Sequence, residues 1–190
     1  MAKTSRRAEP GPYYRLKLTF AGIKPPIWRR LLLPGHTTLR GLHEIIQFVG
    51  GWYDDHLHVF IAGGLEYGQP DPYGSLGFKN DTRVKLTDLP LEIGSAFSYV
   101  YDFGDDWNIK IKVEQILPAE QAPEHASCPG GARAFPPEDC GGVFGYLDLL
   151  DALADSEHPE HENALEWLGE DYDPEAFDPE PVNTALTKVR

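Results

Sequence analysis

Tyr13-Tyr-Arg-Leu-Lys-Leu-Thr-Phe20, Ile27-Trp-Arg-Arg-Leu-Leu-Leu33 and Leu39-Arg-Gly-Leu-His-Glu-Ile-Ile-Gln-Phe-Val49 are the stretches that decide the fold. In the first, Tyr14, Leu16, Leu18 and Phe20 alternate with Tyr13, Arg15, Lys17 and Thr19, which is the period of a half-buried strand. In the second, Ile27, Arg29, Leu31 and Leu33 alternate with Trp28, Arg30 and Leu32. Gly22 and Pro25-Pro26 supply a turn between them and Pro34-Gly35 closes the pair, so the two read as a hairpin. In the third, Leu39, Leu42, Ile45, Ile46 and Val49 recur at helical spacing and form one apolar stripe. Thr37 or Thr38 caps the start of this helix, and Gly50-Gly51 stops it.

Further along, Leu57–Ala62, Arg83–Leu86, Phe97–Phe103 and Trp107–Leu117 read as strands. A polar, glycine-rich loop is expected from about Glu66 to Thr82. Strand, strand, helix and then four strands predict an α+β class: a mostly antiparallel or mixed sheet with one crossing helix, in a β-grasp-like arrangement. After Leu117 the texture changes, and nine of the seventeen prolines fall between residues 118 and 181. Helices are expected at Val143–Ala154 and around Asn163–Leu168. Residues 118–190 therefore read as an acidic, irregular helical annex packed on the sheet. Residues 1–12, ending in Pro10-Gly11-Pro12, read as a flexible basic tail, and residues 13–190 as a single domain.

Charge narrows the function classes. Seventeen Lys and Arg against thirty Asp and Glu leave −13. The first forty residues hold nine basic side chains and one acid, whereas residues 118–181 hold seventeen acids and only Arg133. Phosphate repels so acidic a chain at long range, so non-specific nucleic-acid binding is disfavoured. No apolar run is long enough for a membrane helix, no secretory h-region follows the basic start, and two cysteines do not make a disulfide framework. These features point to a cytoplasmic protein with a protein or small-molecule partner and no membrane contact.

Three clusters could carry chemistry. In Trp52-Tyr-Asp-Asp-His-Leu-His58, His56 and His58 are two apart at a strand start, a relation that turns both imidazoles to one face. They could grip a divalent metal such as zinc, with Asp54 or Asp55 adding a carboxylate. A turn cap plus a satisfied half-buried histidine explains the same pattern. In Tyr101-Asp-Phe-Gly-Asp-Asp-Trp107, three acids lie at a turn between two apolar strands, more than a turn needs. Asp102 would sit inside the strand, where burial demands a donor, and Arg29 and Arg30 are available. In Cys128-Pro-Gly-Gly131 and Pro136-Pro-Glu-Asp-Cys-Gly-Gly142, Cys128 and Cys140 could join the two histidines in a zinc site of two sulfurs and two nitrogens, although the spacing matches no short-range finger. Two thiols packed in a loop-rich annex explain them as well. His43, one turn from Leu39 and Ile46, reads as a core-edge histidine.

Pro25-Pro-Ile-Trp-Arg-Arg30, the Leu39-x-x-Leu-His43 helix, Gly51-Trp-x-x-x-His-Leu-His58, Tyr99-x-Tyr-Asp-Phe-Gly-Asp-x-Trp107, Pro136-Pro-Glu-Asp-Cys-Gly-Gly142 and Tyr172-Asp-Pro-x-x-Phe177 occur in this order. As a set they resemble the plasmid ORF-3-like family of the pRiA type, over about residues 13 to 186. Some members are labelled insertion-element passenger or resolvase-like. The resemblance implies an α+β fold in a cytoplasmic protein of microbial or mobile-element context, and transfers no catalytic role. The residues themselves speak against strand exchange. The only serine before Ser75 is Ser5, and His36 and Arg40 are four apart, one too many for a tyrosine recombinase.

The sequence therefore leads to two expectations. The first is a binding or accessory module with a ligand groove rimmed by Trp52, Asp102, Asp105, Trp107, Glu138 and Cys140, beside His56 and His58. The second is a metal-binding protein or metal-dependent hydrolase built on His56 and His58, with nearby Asp or with Cys128 and Cys140.

Overall fold

The computed structural model describes residues 11–70, 76–121, 125–169 and 172–187. The expected tail therefore lies almost wholly outside the described residues. Eight strands form one sheet: β1 (Tyr13–Phe20), β2 (Trp28–Pro34), β3 (His58–Ala62), β4 (Leu65–Gly68), β5 (Lys79–Asn80), β6 (Ala96–Tyr101), β7 (Trp107–Leu117) and β8 (Ser127–Ala132). Their spatial order is β5-β4-β3-β6-β7-β1-β2-β8. Only the β4–β5 pair is parallel. Among the described residues four α-helices accompany the sheet: α1 (Leu39–Gly50), α2 (Gly142–Ala154), α3 (His161–Leu168) and α4 (Pro179–Leu186). The class is α+β, as the alternation and helical stripe led one to expect. No helix among the described residues is long and apolar enough to cross a membrane.

The register follows the side-chain pattern. Leu16 faces Leu31 on β2 and Val113 on β7, so β1 is flanked on both sides and is buried along one face. A one-residue slip would turn Leu16, Leu18 and Phe20 to the other face, so register here is strongly specified. The α1 stripe of Leu39, Leu42, Ile45, Ile46 and Val49 joins the same core. Thr38 caps α1 by accepting from the Gly41 N–H at 3.0 Å. Gly51 ends it in the left-handed conformation, φ 72°, which a side chain would resist.

Four expectations are corrected. Leu65–Gly68, assigned mostly to a loop, is a strand, because Gly63-Gly64 turns the chain back onto β3. Residues 83–86 form no strand; Asp81–Arg83 is a single helical turn, Leu86–Asp88 is another where Leu86-Thr-Asp-Leu-Pro-Leu91 reads as one, and Lys85 makes one isolated bridge to Thr38. The region after Leu117 contributes more than helices and irregular chain, because β8 completes the sheet beyond β2 and α4 packs on β8. Neither Arg29 nor Arg30 neutralises Asp102. Arg30 pairs with Glu114 at 2.6 Å. The Arg29 guanidinium is sandwiched between Phe135 and Phe177, with ring centroids at 4.6 and 4.0 Å, and donates to the carbonyls of Trp28 and Ala132. Burial holds its pKa down at about 10.

Candidate functional site

Three connections meet at one end of the sheet: the α1–β3 loop, the β6–β7 turn and the segment leading into α2. Trp52 is the apolar pin that joins them. Its ring stacks on Tyr101 at 4.8 Å and meets the edge of Phe20 at 5.9 Å, and its Nε1–H donates to the Pro136 carbonyl at 2.8 Å. Tyr101 donates its hydroxyl to Glu138 Oε1, while Glu138 Oε2 accepts the Tyr53 N–H at 2.7 Å. One carboxylate thus ties the loop after α1 to the end of β6. The Tyr101 hydroxyl is held above its usual range, by burial first and by this carboxylate second.

His56 lies half-buried between two carboxylates. Its Nε2 is 3.1 Å from Asp139 Oδ1 and its Nδ1 is 3.8 Å from Asp102 Oδ1. Asp102 is buried just past β6 in the left-handed region, φ 54°, and accepts the Gly104 N–H at 2.9 Å. A backbone donor within its own turn therefore meets the requirement that burial imposes. Asp105 Oδ2 accepts the Gly141 N–H at 3.2 Å, so the turn is bound to the start of α2. A Cβ at Gly142, φ 67°, would overlap the Asp105 carbonyl, so this contact needs glycine. Trp107 is fully buried, and among the described residues its Nε1–H has no acceptor.

Beneath this surface group is a second one, built around His43, which its spacing puts at the edge of the core, and His58. His43 and His58 are buried and stacked, with centroids 3.6 Å apart and planes 11° apart. His43 Nε2 lies 2.7 Å from Asp54 Oδ1 and its Nδ1 lies 2.8 Å from the Tyr99 hydroxyl. His58 Nε2 lies 2.8 Å from Asp81 Oδ2, and Asp81 is wholly buried. Arg40 holds the other oxygen of Asp54 at 2.8 Å, and Gln47 donates to Tyr99 and accepts the Asp54 N–H. Burial above all, and then the neighbouring His58, lower the His43 pKa to about 4, with Asp54 opposing. His43 is therefore neutral at physiological pH. The acceptor-only Asp54 assigns the proton to Nε2, which leaves Nδ1 to accept from Tyr99.

These positions separate the two expected metal ligands. His58 turns inward to His43 and Asp81, whereas His56 turns to Asp102 and Asp139. Among the described residues, metal-sized groups are His43–Asp54–His58 and His56–Asp102–Asp139, and neither cysteine joins one. An imidazole ligates in its ring plane, so two nearly parallel rings 3.6 Å apart cannot both aim lone pairs at one ion. The deep group is a hydrogen-bonded proton network, and the outer group has the donor set for a cation. Cys128 sits on β8, with four strands between it and β3. Its backbone N–H donates to Asn183 Oδ1 and its thiol faces the Gly130 carbonyl. Cys140 follows Asp139 directly, but burial and then Asp105 push its thiol up to about 12, far from a nucleophile's range.

Of the expected groove, Trp52, Asp102, Asp105, Glu138 and Cys140 are brought to this end of the sheet around His56. Trp107 underlies them as core. Asp81, Tyr99 and Gln47 lie outside the three clusters that the sequence offers, and the helical period reads His43 as packing. A His at a buried helical position, four residues before a Gln on the same face, was the one available signal.

A sequence model described as plasmid pRiA4b ORF-3-like protein matches residues 12–181. Uncharacterized protein y4hQ of Sinorhizobium fredii (strain NBRC 101917 / NGR234) is 37% identical over 176 residues, 90% of this chain and 89% of that one. The crystal structure of the protein of unknown function MM3350 from Methanosarcina mazei Go1 superposes with a TM-score of 0.82 at 40% identity, covering 91% of this chain and 98% of the other.

Proposed function

We propose, because this chain belongs to the plasmid pRiA4b ORF-3-like protein family and offers a polar, aromatic surface at one end of its sheet, that it is a binding or accessory module. One observation carries this reading. Three distant segments converge to leave His56 between Asp102 and Asp139, with Tyr53 81% and Phe103 44% exposed nearby. Exposed aromatics next to charged groups supply large contact area at low entropic cost, the composition of recognition surfaces. The network of His43, Asp54, Tyr99 and Asp81 supports the surface from below. It keeps the α1–β3 loop in one arrangement, which reduces the ordering cost of binding. A partner, protein or small molecule, is expected to lose at least tenfold in affinity with Tyr53→Ala, Phe103→Ala or His56→Ala. If affinity purification from the source cells recovers the same partners in the same amounts with all three changes, the surface is not the binding site.

The outer group favours a second reading, a divalent metal held by His56, Asp102 and Asp139. One imidazole and two carboxylates from separate segments suit zinc, manganese or iron. Metal analysis of protein purified without a tag decides it. A full equivalent that disappears in His56→Ala supports the site, and below roughly 0.2 equivalents after incubation with the ion rejects it. Two free thiols suit the reducing cytoplasm, where we place the protein; cell fractionation tests the placement. The hairpin–helix–strand order before residue 118 supports a β-grasp-like half within one domain spanning 13–190, which limited proteolysis tests by whether a stable fragment of either half appears.

A further inference from the structure

Asp139, Cys140, α2 and α3 line an open cleft of about 490 Å³, a size that ligand sites commonly have. The buried Ala152 and Ala164, with Leu149, give it an apolar floor, and the Trp167 indole, 50% exposed, is part of its lining. Asp148 and Glu160 are exposed at the rim, with Asn163 donating to Glu160 at 2.8 Å; His158 also lines the cleft, and among the described residues no lysine or arginine does. Among the described residues neither of these acids enters an ion pair. Arg133, the only basic residue between positions 118 and 181, is held by Glu175 at 2.7 Å and by the Pro25 carbonyl. Among the described residues the cleft therefore has negative charge with no lysine or arginine to offset it, next to an indole and an apolar floor.

That combination selects its ligand. An anion is repelled by the carboxylates. A bare metal ion gains nothing from the floor and the indole. A cation carrying its charge on an apolar body satisfies all three, because the ring quadrupole attracts it, the carboxylates neutralise it and the methylenes or methyls cover the floor. We propose that the α2–α3 cleft binds a small organic cation of the alkylammonium or quaternary ammonium class. This goes beyond the sheet-end reading, since the two surfaces share only Asp139 and Cys140, and neither Asp148, Glu160 nor Trp167 belongs to the sheet end.

Choline and its neutral isostere 3,3-dimethyl-1-butanol test the proposal on the full chain, by calorimetry and tryptophan emission. Choline is expected to bind saturably with a dissociation constant of about 10 mM or below, and the isostere at least tenfold more weakly. Trp167→Leu and Asp148→Asn change exposed side chains, so both variants should fold, which circular dichroism checks. Each is expected to weaken choline at least tenfold, whereas Tyr53→Ala and Phe103→Ala leave it unchanged. Equal binding of choline and the isostere, unaltered binding in both cleft variants, or no saturable signal overturns the proposal. Because the cleft variants and the sheet-end variants are separate, either reading can fail without the other.

Discussion

Acid should weaken this fold through His43 in a way that can be calculated. In the unfolded chain the imidazole titrates near 6.5, and in the fold its pKa is lowered to about 4, mainly by burial. Above pH 6.5 both states carry it neutral, and its titration does not affect stability. Between pH 6.5 and 4 only the unfolded chain takes up the proton, so stability is lost as pH falls through that window. His43 is fully buried, so solvent does not screen the effect. The loss is about 2 kcal/mol at pH 5 and about 3 kcal/mol at pH 4, from 1.36 kcal/mol per unit. Urea unfolding at pH 7.5, 6, 5 and 4.5 measures it. His43→Gln is the reference: its amide can still meet Asp54 and Tyr99 but takes no proton. The wild-type chain should lose about 2 kcal/mol more than this variant between pH 7.5 and 5. Parallel profiles within about 0.5 kcal/mol, or an imidazole resonance of His43 titrating near pH 6.5, would refute the assignment of a buried neutral ring.

Other consequences follow from single contacts. Gly142→Ala, which meets the Asp105 carbonyl at a left-handed φ, should cost about 2 kcal/mol or more in thermal or urea unfolding, and a cost below about 0.5 kcal/mol would show that the β6–β7 turn moves freely from α2. Arg29→Leu should remove the cation from between Phe135 and Phe177 and raise protease cleavage near Phe177 at least severalfold, read by mass spectrometry; an unchanged cleavage pattern would mean that the C-terminal segment is held elsewhere. Cys140, with its thiol pushed up to about 12, should react with a disulfide reagent far more slowly at pH 8 than a free thiol and should accelerate up to pH 10; a fast, pH-independent rate would overturn the burial argument.

Much of the fold was legible because it rests on periodic signals. The first hairpin, the α1 stripe and the long strand from Trp107 all show the period of their element over seven or more residues. The elements that escaped have no such period. Ser127-Cys-Pro-Gly-Gly-Ala132 contains a proline and two glycines, poor strand formers that are tolerated on an edge because β2 supplies the partner. Leu65–Gly68 is too short to show alternation, and only the glycine pair before it marked a turn. In the site, the convergence of Trp52, His56 and Asp102 could be anticipated, since each lies at a turn with more polarity than a turn needs. The inward role of His58 could not, because its partner Asp81 lies twenty-three residues on, in an unremarkable helical turn. The helical period reads His43 as packing because its spacing fits the apolar stripe. Packing and hydrogen bonding are both true of it, and a period reports only the first.

The position of β8 beside β2 has a consequence for synthesis of the chain. The second strand is made early, yet its outer neighbour is encoded about a hundred positions later, as is β7, which flanks β1 on its far side. Until most of the polypeptide has left the ribosome, the β1–β2 segment therefore lacks both of its sheet neighbours, and its strand borders stay unpaired and open to water. Non-local pairing of this kind slows folding and exposes strand borders to other chains in the interval. Transient shielding of residues 13–34 during translation, by a chaperone or by slow elongation, should accordingly raise the yield of native protein more than any change made near the carboxyl end.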